Sequence, residues 1–530
     1  MISPEPSFTL PESLSDQDLL AGLGEMFRLV PDNRPGGGRT LYHDSFDWRI
    51  YQAGGVLAET HDGRSHRLEW RDRNNGTLLG AQPLTRRFQR FVRDWKSGEL
   101  RKRLEPVLEM RALLPRVELE SSGRGYRLLN EDDKTVVRLL LEQSRSRLPG
   151  DAGEFHPLSR RLRLVPVRGY DRELAEAAIL LRDRFRLPQT APVMLDEALA
   201  AIGKRPADYS AKLDFRFKPE QQADAAVREI HLFLLNIIEA NVDGLIADID
   251  SEFLHDLRVA VRRTRSALNQ IPRVYPEEAE YFRAEFAWLG KITGPARDLD
   301  VYLLEFDRYH NSLPEAFRAD LDPLRDFLVS HHKIEQRQLV KHLKSARFNK
   351  LCTDWRAFLE SPPPRPPSAS DAARPIREVA DRRIGKMFKR VVKEGTALHP
   401  DSPATELHEL RKSCKKLRYL MEFFQNLYPA KEIEPLIKDL KKLLDSLGMF
   451  QDREVQANKL RQFAHQMEQE GTVQTDTLLA MGMLVDGLLR GQREAHADFL
   501  RRFARFTAKD NQKVLRQLIS SAATAQEGTK

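Results

Sequence analysis

The sequence predicts two parts of different class, an α+β domain followed by an all-α region assembled from two similar halves. Three observations predict this. Before residue 200, short segments rich in Val, Leu and Arg alternate at period 2, as in Arg161-Leu162-Arg163-Leu164-Val165. Beyond Pro219 apolar residues recur at helical spacing, as in Val227, Ile230, His231, Leu234 and Ile238, and strand patterns vanish. Within that helical part, one block of residues occurs twice.

At roughly 150 residues per domain, 530 residues suggest about three domains or one large duplicated unit. With 41% hydrophobic and 31% charged residues, the chain can build a core and is not disordered throughout. No apolar run reaches the roughly 18 residues of a membrane span. Met1 to Asp18 has neither the basic start nor the apolar segment of a secretory signal. Two cysteines, Cys352 and Cys414, argue against a disulfide scaffold and a multi-cysteine zinc site. A reduced, cytoplasmic setting is therefore expected. The 86 Lys and Arg exceed the 78 Asp and Glu by only +8, so the placement of positive charge matters more than its total.

In the first part, Val136 to Leu141 reads as a strand preceded by an Asn130-Glu131-Asp132-Asp133 turn, Arg161 to Val165 as another strand, and Tyr170 to Phe185 as a helix. Gly36-Gly37-Gly38 and Asn74-Asn75-Gly76 read as loop tips. The glycine triplet lacks the Lys-Ser/Thr of a phosphate-binding loop. Leu187 to Pro219, with several prolines, reads as a connecting stretch. The expected domains are 1–200, a linker over 201–217, a helical domain over 218–510 and a tail over 511–530. The helical halves, about 218–360 and 370–510, are joined by the proline-rich 361–368, a stiff extended spacer.

The two halves align on one another. HDLRVAVRRTRSALNQIPRVYP (255–276) matches HELRKSCKKLRYLMEFFQNLYP (408–429) without gaps. His255 falls on His408, Arg258 on Arg411, Arg262 on Lys415, Arg263 on Lys416, Arg265 on Arg418, and Tyr275-Pro276 on Tyr428-Pro429. A second block follows in both halves, Gly294-Pro295-Ala296-Arg297-Asp298-Leu299-Asp300-Val301 against Gly448-Met449-Phe450-Gln451-Asp452-Arg453-Glu454-Val455. A duplicated helical unit related by a pseudo-twofold is expected.

Helical geometry turns the repeat into chemistry. At about 100° per residue, with His255 at 0°, Arg258, Arg262 and Arg265 fall at roughly 300°, 340° and 280°, one basic stripe. Leu257, Val261, Thr264 and Leu268 fall on the opposite side and face the core. His408, Arg411, Lys415 and Arg418 repeat the stripe, with Arg263 and Lys416 flanking it. Like charges one turn apart destabilise a helix, and neither stripe shows an acidic residue to offset them, since Asp256 and Glu409 lie elsewhere on the wheel. A linear polyanion would offset them. Nucleic-acid grooves interleave such cations with aromatics for stacking, and here only Tyr419 lies near a stripe. A chain of phosphates without bases, inorganic polyphosphate, fits best.

The duplicated His-x-Leu-Arg-x-x-x-Arg/Lys-Arg/Lys-x-Arg with its later Gly-x-x-Arg/Gln-Asp-x-Asp/Glu-Val resembles the CHAD domain, the conserved histidine α-helical domain, over about Lys218 to Phe506. The resemblance implies two pseudo-twofold-related helical bundles whose basic helices face a central channel for inorganic polyphosphate, and association with polyphosphate granules. Carried onto this chain, His255, Arg258, Arg262, Arg265, His408, Arg411, Lys415 and Arg418 would line the channel, with Arg263, Lys412, Lys416 and Lys291 beside it.

Leu41 to Gly54 (LYHDSFDWRIYQAG) is similar to a segment of the CYTH domain, a triphosphate-tunnel β-barrel that often precedes a CHAD domain. Leu164 to Phe185 resembles that family's late strand and following helix. The family's Glu-x-Glu-x-Lys signature is missing: Ser3 to Phe8 contains one acid, Glu5, and no lysine. Ala58-Glu59-Thr60 stands where the family presents basic residues, and Arg161 to Val167 contains no acid. Without paired carboxylates no Mg²⁺ or Mn²⁺ cage is evident. The expectation is a degenerate, noncatalytic CYTH-like β-barrel domain without cofactor, retaining Arg111 as an anion contact.

Two other classes compete. A triphosphatase or other metal-dependent phosphohydrolase could draw on His255, His408, Asp298, Asp300, Asp452 and Glu454, but the surrounding Arg and Lys would repel a divalent cation. Asp298 and Asp452 are expected instead to cap helices or hold basic side chains, and His331-His332 to be solvated surface residues. A protein reading a nucleic-acid backbone is the second alternative. A membrane is not an expected partner.

Overall fold

Among the described residues the period-2 segments become strands of one antiparallel sheet, and the helical periodicity becomes ten helices. The computed structural model describes residues 5–25, 27–32, 37–63, 65–84, 88–275, 279–362, 369–399, 402–508, 511–515 and 517–518. It divides into two compact units, 1–210 and 211–530.

The first unit holds β1 (Ser7–Thr9), β2 (Arg28–Asp32), β3 (Gly38–Asp44), β4 (Gly55–His61), β5 (His66–Asp72), β6 (Leu78–Pro83), β7 (Leu114–Leu129), β8 (Thr135–Arg147), β9 (His156–Pro157), β10 (Arg161–Pro166) and β11 (Gln189–Thr190). Their order is β11-β1-β10-β8-β7-β3-β4-β5-β6, with β2 on β7 and β9 on β8. Helices α1 (Asp16–Gly24), α2 (Arg49–Gln52), α3 (Glu99–Leu108), α4 (Asp171–Asp183) and α5 (Leu195–Ala201) accompany them. Alternation along β8 and β10 sends Leu139, Leu162 and Leu164 into a core with Leu23, Leu174 and Leu181, which docks α1 and α4. The other face curls around a cavity of about 330 Å³ lined from β3, β4, β5, β7, β8 and β10.

Two expectations change here. Gly38 opens β3 instead of sitting in a loop: a Cβ on Gly37 would collide with the Ser121 carbonyl and one on Gly38 with that of His61. Only glycine permits so close an approach. Gly36 lies outside the described residues. The stretch from Leu187 is not a linker at its start, because β11 pairs with β1 and α5 buries Leu195, Ala198 and Leu199 against Trp48, Val56 and Val117.

The second unit contains α6 (Ala223–Ile246), α7 (Ser251–Gln270), α8 (Ala279–Ile292), α9 (Gly294–Ser312), α10 (Asp322–Leu343), α11 (Ala346–Glu360), α12 (Ile376–Thr396), α13 (Ala404–Phe424), α14 (Ala430–Gln469) and α15 (Thr475–Phe506). Helix α7 starts where the Asp250 carboxylate accepts from Glu252 N at 2.9 Å. Leu257, Val261, Thr264 and Leu268 are buried as the wheel predicts. Where the second copy runs through Gly448 as one helix of 40 residues, the first breaks at Thr293 between α8 and α9. Pro295 explains the difference, since it lacks an N–H and crowds the preceding turn, whereas Met449 does neither.

The halves are not separate below the proline stretch. Leu299, Tyr302 and Phe306 of α9 share one core with Leu460, Phe463 and Met467 of α14. The segment before α6 also packs inward: Phe215 meets Phe233, and Phe217 meets Phe424. Near the helix starts the repeat has exchanged an ion pair. Asp224–Arg228 in α6 (2.8 Å) becomes Arg377–Asp381 in α12 (3.1 Å), beside Tyr275 and Tyr428 respectively. Residues 363–368 of the proline connection, Pro276 of the repeat and most of the tail lie outside the described residues. Among the described residues no helix is long and apolar enough to cross a membrane.

Candidate functional site

Helices α7 and α13 pack on one another, and their basic stripes meet. Lys415 is half-buried, and burial, followed by Arg411 and Arg262, pushes its ammonium down to about 8 against a partial counter-effect of Asp452. Arg262 and Lys415 occupy equivalent positions of the repeat. Burial also lowers the pKa of Arg258, with Arg262 as the next cause. Arg263 is lowered by burial too, and Arg418 contributes to it from across the helix pair. Arg258, Arg262, Arg263, Arg411, Lys415 and Arg418 thus form one field of mutually repelling cations.

The second repeated block positions the first. Arg297 Nη2 donates to His255 Nδ1 at 2.9 Å, and in the other half the equivalent Gln451 amide donates to His408 Nδ1. Gln451 also accepts from Arg411 at 2.8 Å, and Asp452 pairs with Arg411 at 3.1 Å. Arg258 donates to Thr293 Oγ1 at 2.9 Å and to Gly290 O at 3.2 Å. Gly294 and Gly448 lie against these arginines at ordinary contact distance, a Cβ there standing 3.7 Å from Arg258 and 3.4 Å from Arg411. Arg297 and Gln451 are therefore part of the site, and their matching positions in the second repeated block were the signal for them. Both histidines accept through Nδ1, which leaves Nε2 as the protonated nitrogen of a neutral ring.

The remaining predicted residues flank the ridge or stand beyond it. Lys412 pairs with exposed Glu409 at 2.8 Å and points away from the ridge. Lys416 sits near the same carboxylate. Arg265 extends along α8 to Gly290, and Lys291 is exposed at the end of that helix. Asp298 and Asp452 lie inside helices and do not cap them, and Asp452 instead holds Arg411, the other role expected of it. His331 and His332 are not solvated surface groups: they pair with Glu470 (3.3 Å) and with buried Asp300 (2.8 Å). The expectation that the stripe lacks an acid also fails one turn beyond Arg418, where Glu422 pairs with Arg263, Arg418 and Lys441. Tyr419 is buried, with Arg418 5.1 Å from its ring centroid, so it offers no face to a base.

The cavity of the first unit differs in character. Arg163 lies between Glu5 at 2.9 Å and Glu142 at 2.8 Å, and Arg71 pairs with Glu69 at 2.8 Å. Glu142 and Glu69 come from β8 and β5, where no motif pointed to them. Arg111 is buried against Asp47 at 3.4 Å and does not line this cavity. A metal cage needs carboxylates without competing cations. Here a guanidinium stands between two of them, and no group of three or more His, Cys, Asp or Glu among the described residues is placed to hold a metal. The cavity does not fit the divalent metal of the CYTH family.

An all-α unit with a duplicated conserved-histidine helix, each histidine clamped by the same position of a second repeated block, defines the class. Residues 229–461 match the model of the CHAD domain family. Among solved structures, the CHAD domain from the plant Ricinus communis is 23% identical over 56% of this chain and 96% of that chain, with a TM-score of 0.46. PptA from Streptomyces chartreusis is 17% identical over 53% of this chain and 99% of that one (TM-score 0.40). A candidate adenylate cyclase from Bacillus halodurans is 14% identical over 36% and 94% (TM-score 0.26). No curated protein matches the sequence.

Proposed function

We propose that the helical domain binds inorganic polyphosphate along the ridge formed by Arg258, Arg262, Arg411, Lys415 and Arg418, with Arg263, Arg265 and the two histidines beside it, and that it does so at polyphosphate granules without catalysis. The observation that carries this reading is the apposition of Arg262 and Lys415, like charges held together at a cost that a polyanion would repay. The burial of Tyr419 favours phosphates over bases. The arginines bracketed by carboxylates in the first unit support a noncatalytic CYTH-like domain.

The test is a binding titration of the full chain with long-chain polyphosphate. Submicromolar affinity is expected, falling with salt as roughly four to six ion contacts would require. Duplex DNA of equal charge should compete poorly, and triphosphate hydrolysis with Mg²⁺ or Mn²⁺ should stay at background. DNA binding of equal strength, or chelator-sensitive turnover, would overturn the reading.

Lys415 adds a pH signature. Its pKa of about 8 should rise toward the ordinary value when phosphates arrive, so binding near pH 8 should take up about half a proton. Affinity should fall above pH 8, by at most about tenfold per unit. Calorimetry in two buffers of different ionisation enthalpy measures the uptake, and heats independent of buffer would contradict it.

A further inference from the structure

Glu422 interrupts the cationic pattern where the two ridges meet. It is 8% exposed and lies 3.6 Å from Arg263, 3.8 Å from Arg418 and 3.2 Å from Lys441, cations drawn from α7, α13 and α14. One carboxylate among three cations leaves a positive surplus, yet it is near enough to oppose any phosphate approaching Arg263. Its Oε2 is buried and makes no hydrogen bond.

The duplication supplies the contrast. Arg263 corresponds to Lys416, and Glu422 corresponds to Asn269, an exposed and uncharged residue of α7. Lys416 does have an acidic neighbour in Glu409, but that group is exposed to water and held by Lys412 at 2.8 Å. Solvent screens an exposed carboxylate far more than a buried one. The ridge is therefore unequal on its two sides.

We propose that Glu422 is a built-in counter-anion that occupies the Arg263 side of the ridge and directs a polyphosphate chain toward the Lys416 side. This rests on the polyphosphate reading above and adds a direction to it. Glu422 thereby sets both the path of the ligand and its affinity.

The experiment compares polyphosphate affinity of the full chain at about 0.1 M salt. Glu422→Gln should bind about fivefold tighter, because a like charge near the ligand is removed. Glu422→Asp keeps the charge and should bind like the parent. Asn269→Glu places a carboxylate on the other side at an exposed position that folding tolerates, and should bind about fivefold weaker. The proposal is overturned if Glu422→Gln binds no tighter than the parent. Should that variant fail to fold, an Asn269→Glu variant of unchanged affinity overturns it instead. A parent that does not bind polyphosphate refutes the underlying reading, which separates the two failures.

Discussion

Replacing Lys415 by glutamate is expected to abolish polyphosphate binding while stabilising the helical unit. The reversal converts a repelled cation into a partner for Arg262, Arg411 and Arg418, the first two being the main charges that depress it now. Phosphate would lose one cation and face a new anion at the centre of the ridge. A charge reversal among desolvated ligand contacts costs about 3–4 kcal/mol, or about 100- to 1000-fold in affinity. Burial, the larger cause of the depressed ammonium, would weigh on a glutamate too, so only the repulsive part, about 1 kcal/mol after screening at a half-buried position, should return as stability. For a unit this large that is about 2–4 °C in Tm. Arg262→Glu should likewise lose binding, with little change in Tm at its exposed position. Titration and thermal melts of each variant decide the matter. Lost binding with a lowered Tm would mean that the ridge is structural, and binding kept at full strength would mean that phosphates bind elsewhere.

Acid is expected to weaken the helical unit through one buried imidazole. His231 is fully buried, accepts or donates at Nδ1 with Tyr275 Oη and Val227 O (both 2.9 Å), and leaves Nε2 without a partner. Desolvation, helped by nearby Arg228, holds its pKa at about 4 against 6.5 when exposed. Because the folded value is the lower one, the unfolded chain takes the proton more readily between the two. The stability this site contributes is complete above pH 6.5 and is lost as pH falls toward 4, about 3 kcal/mol in all. His332 runs the other way: its pairing with Asp300 raises its pKa, so its contribution is present in acid and fades as pH rises. Denaturant unfolding from pH 7 to 4.5 should therefore show a steeper decline for the parent than for His231→Leu, although the variant starts lower for want of its bond to Tyr275. Equal slopes would remove His231 from the account.

Much of this was legible in the sequence because it depends on period and repetition. Alternation placed β8 and β10, helical spacing put Leu257, Val261, Thr264 and Leu268 inside, and the duplicated block located the cations that meet. The wheel also contained Glu422, at roughly 320° and one turn past Arg418, but nothing in a single helix says that α7 and α14 will each bring a cation to it. The ion pairs of the first unit were hidden for the same reason. Glu142 and Arg163 lie on β8 and β10 and Glu5 just before β1, so they become neighbours only through register.

The sequence by itself therefore determined the two classes of domain, the duplicated basic helix and the face each helix buries, since these follow from short-range spacing along one chain. Only the tertiary structure decided that Arg262 and Lys415 confront each other, that Glu422 neutralises one flank, and that arginine stands between the carboxylates of the cavity. Electrostatic energy depends on distance through space and on burial, and neither is fixed until separate elements pack.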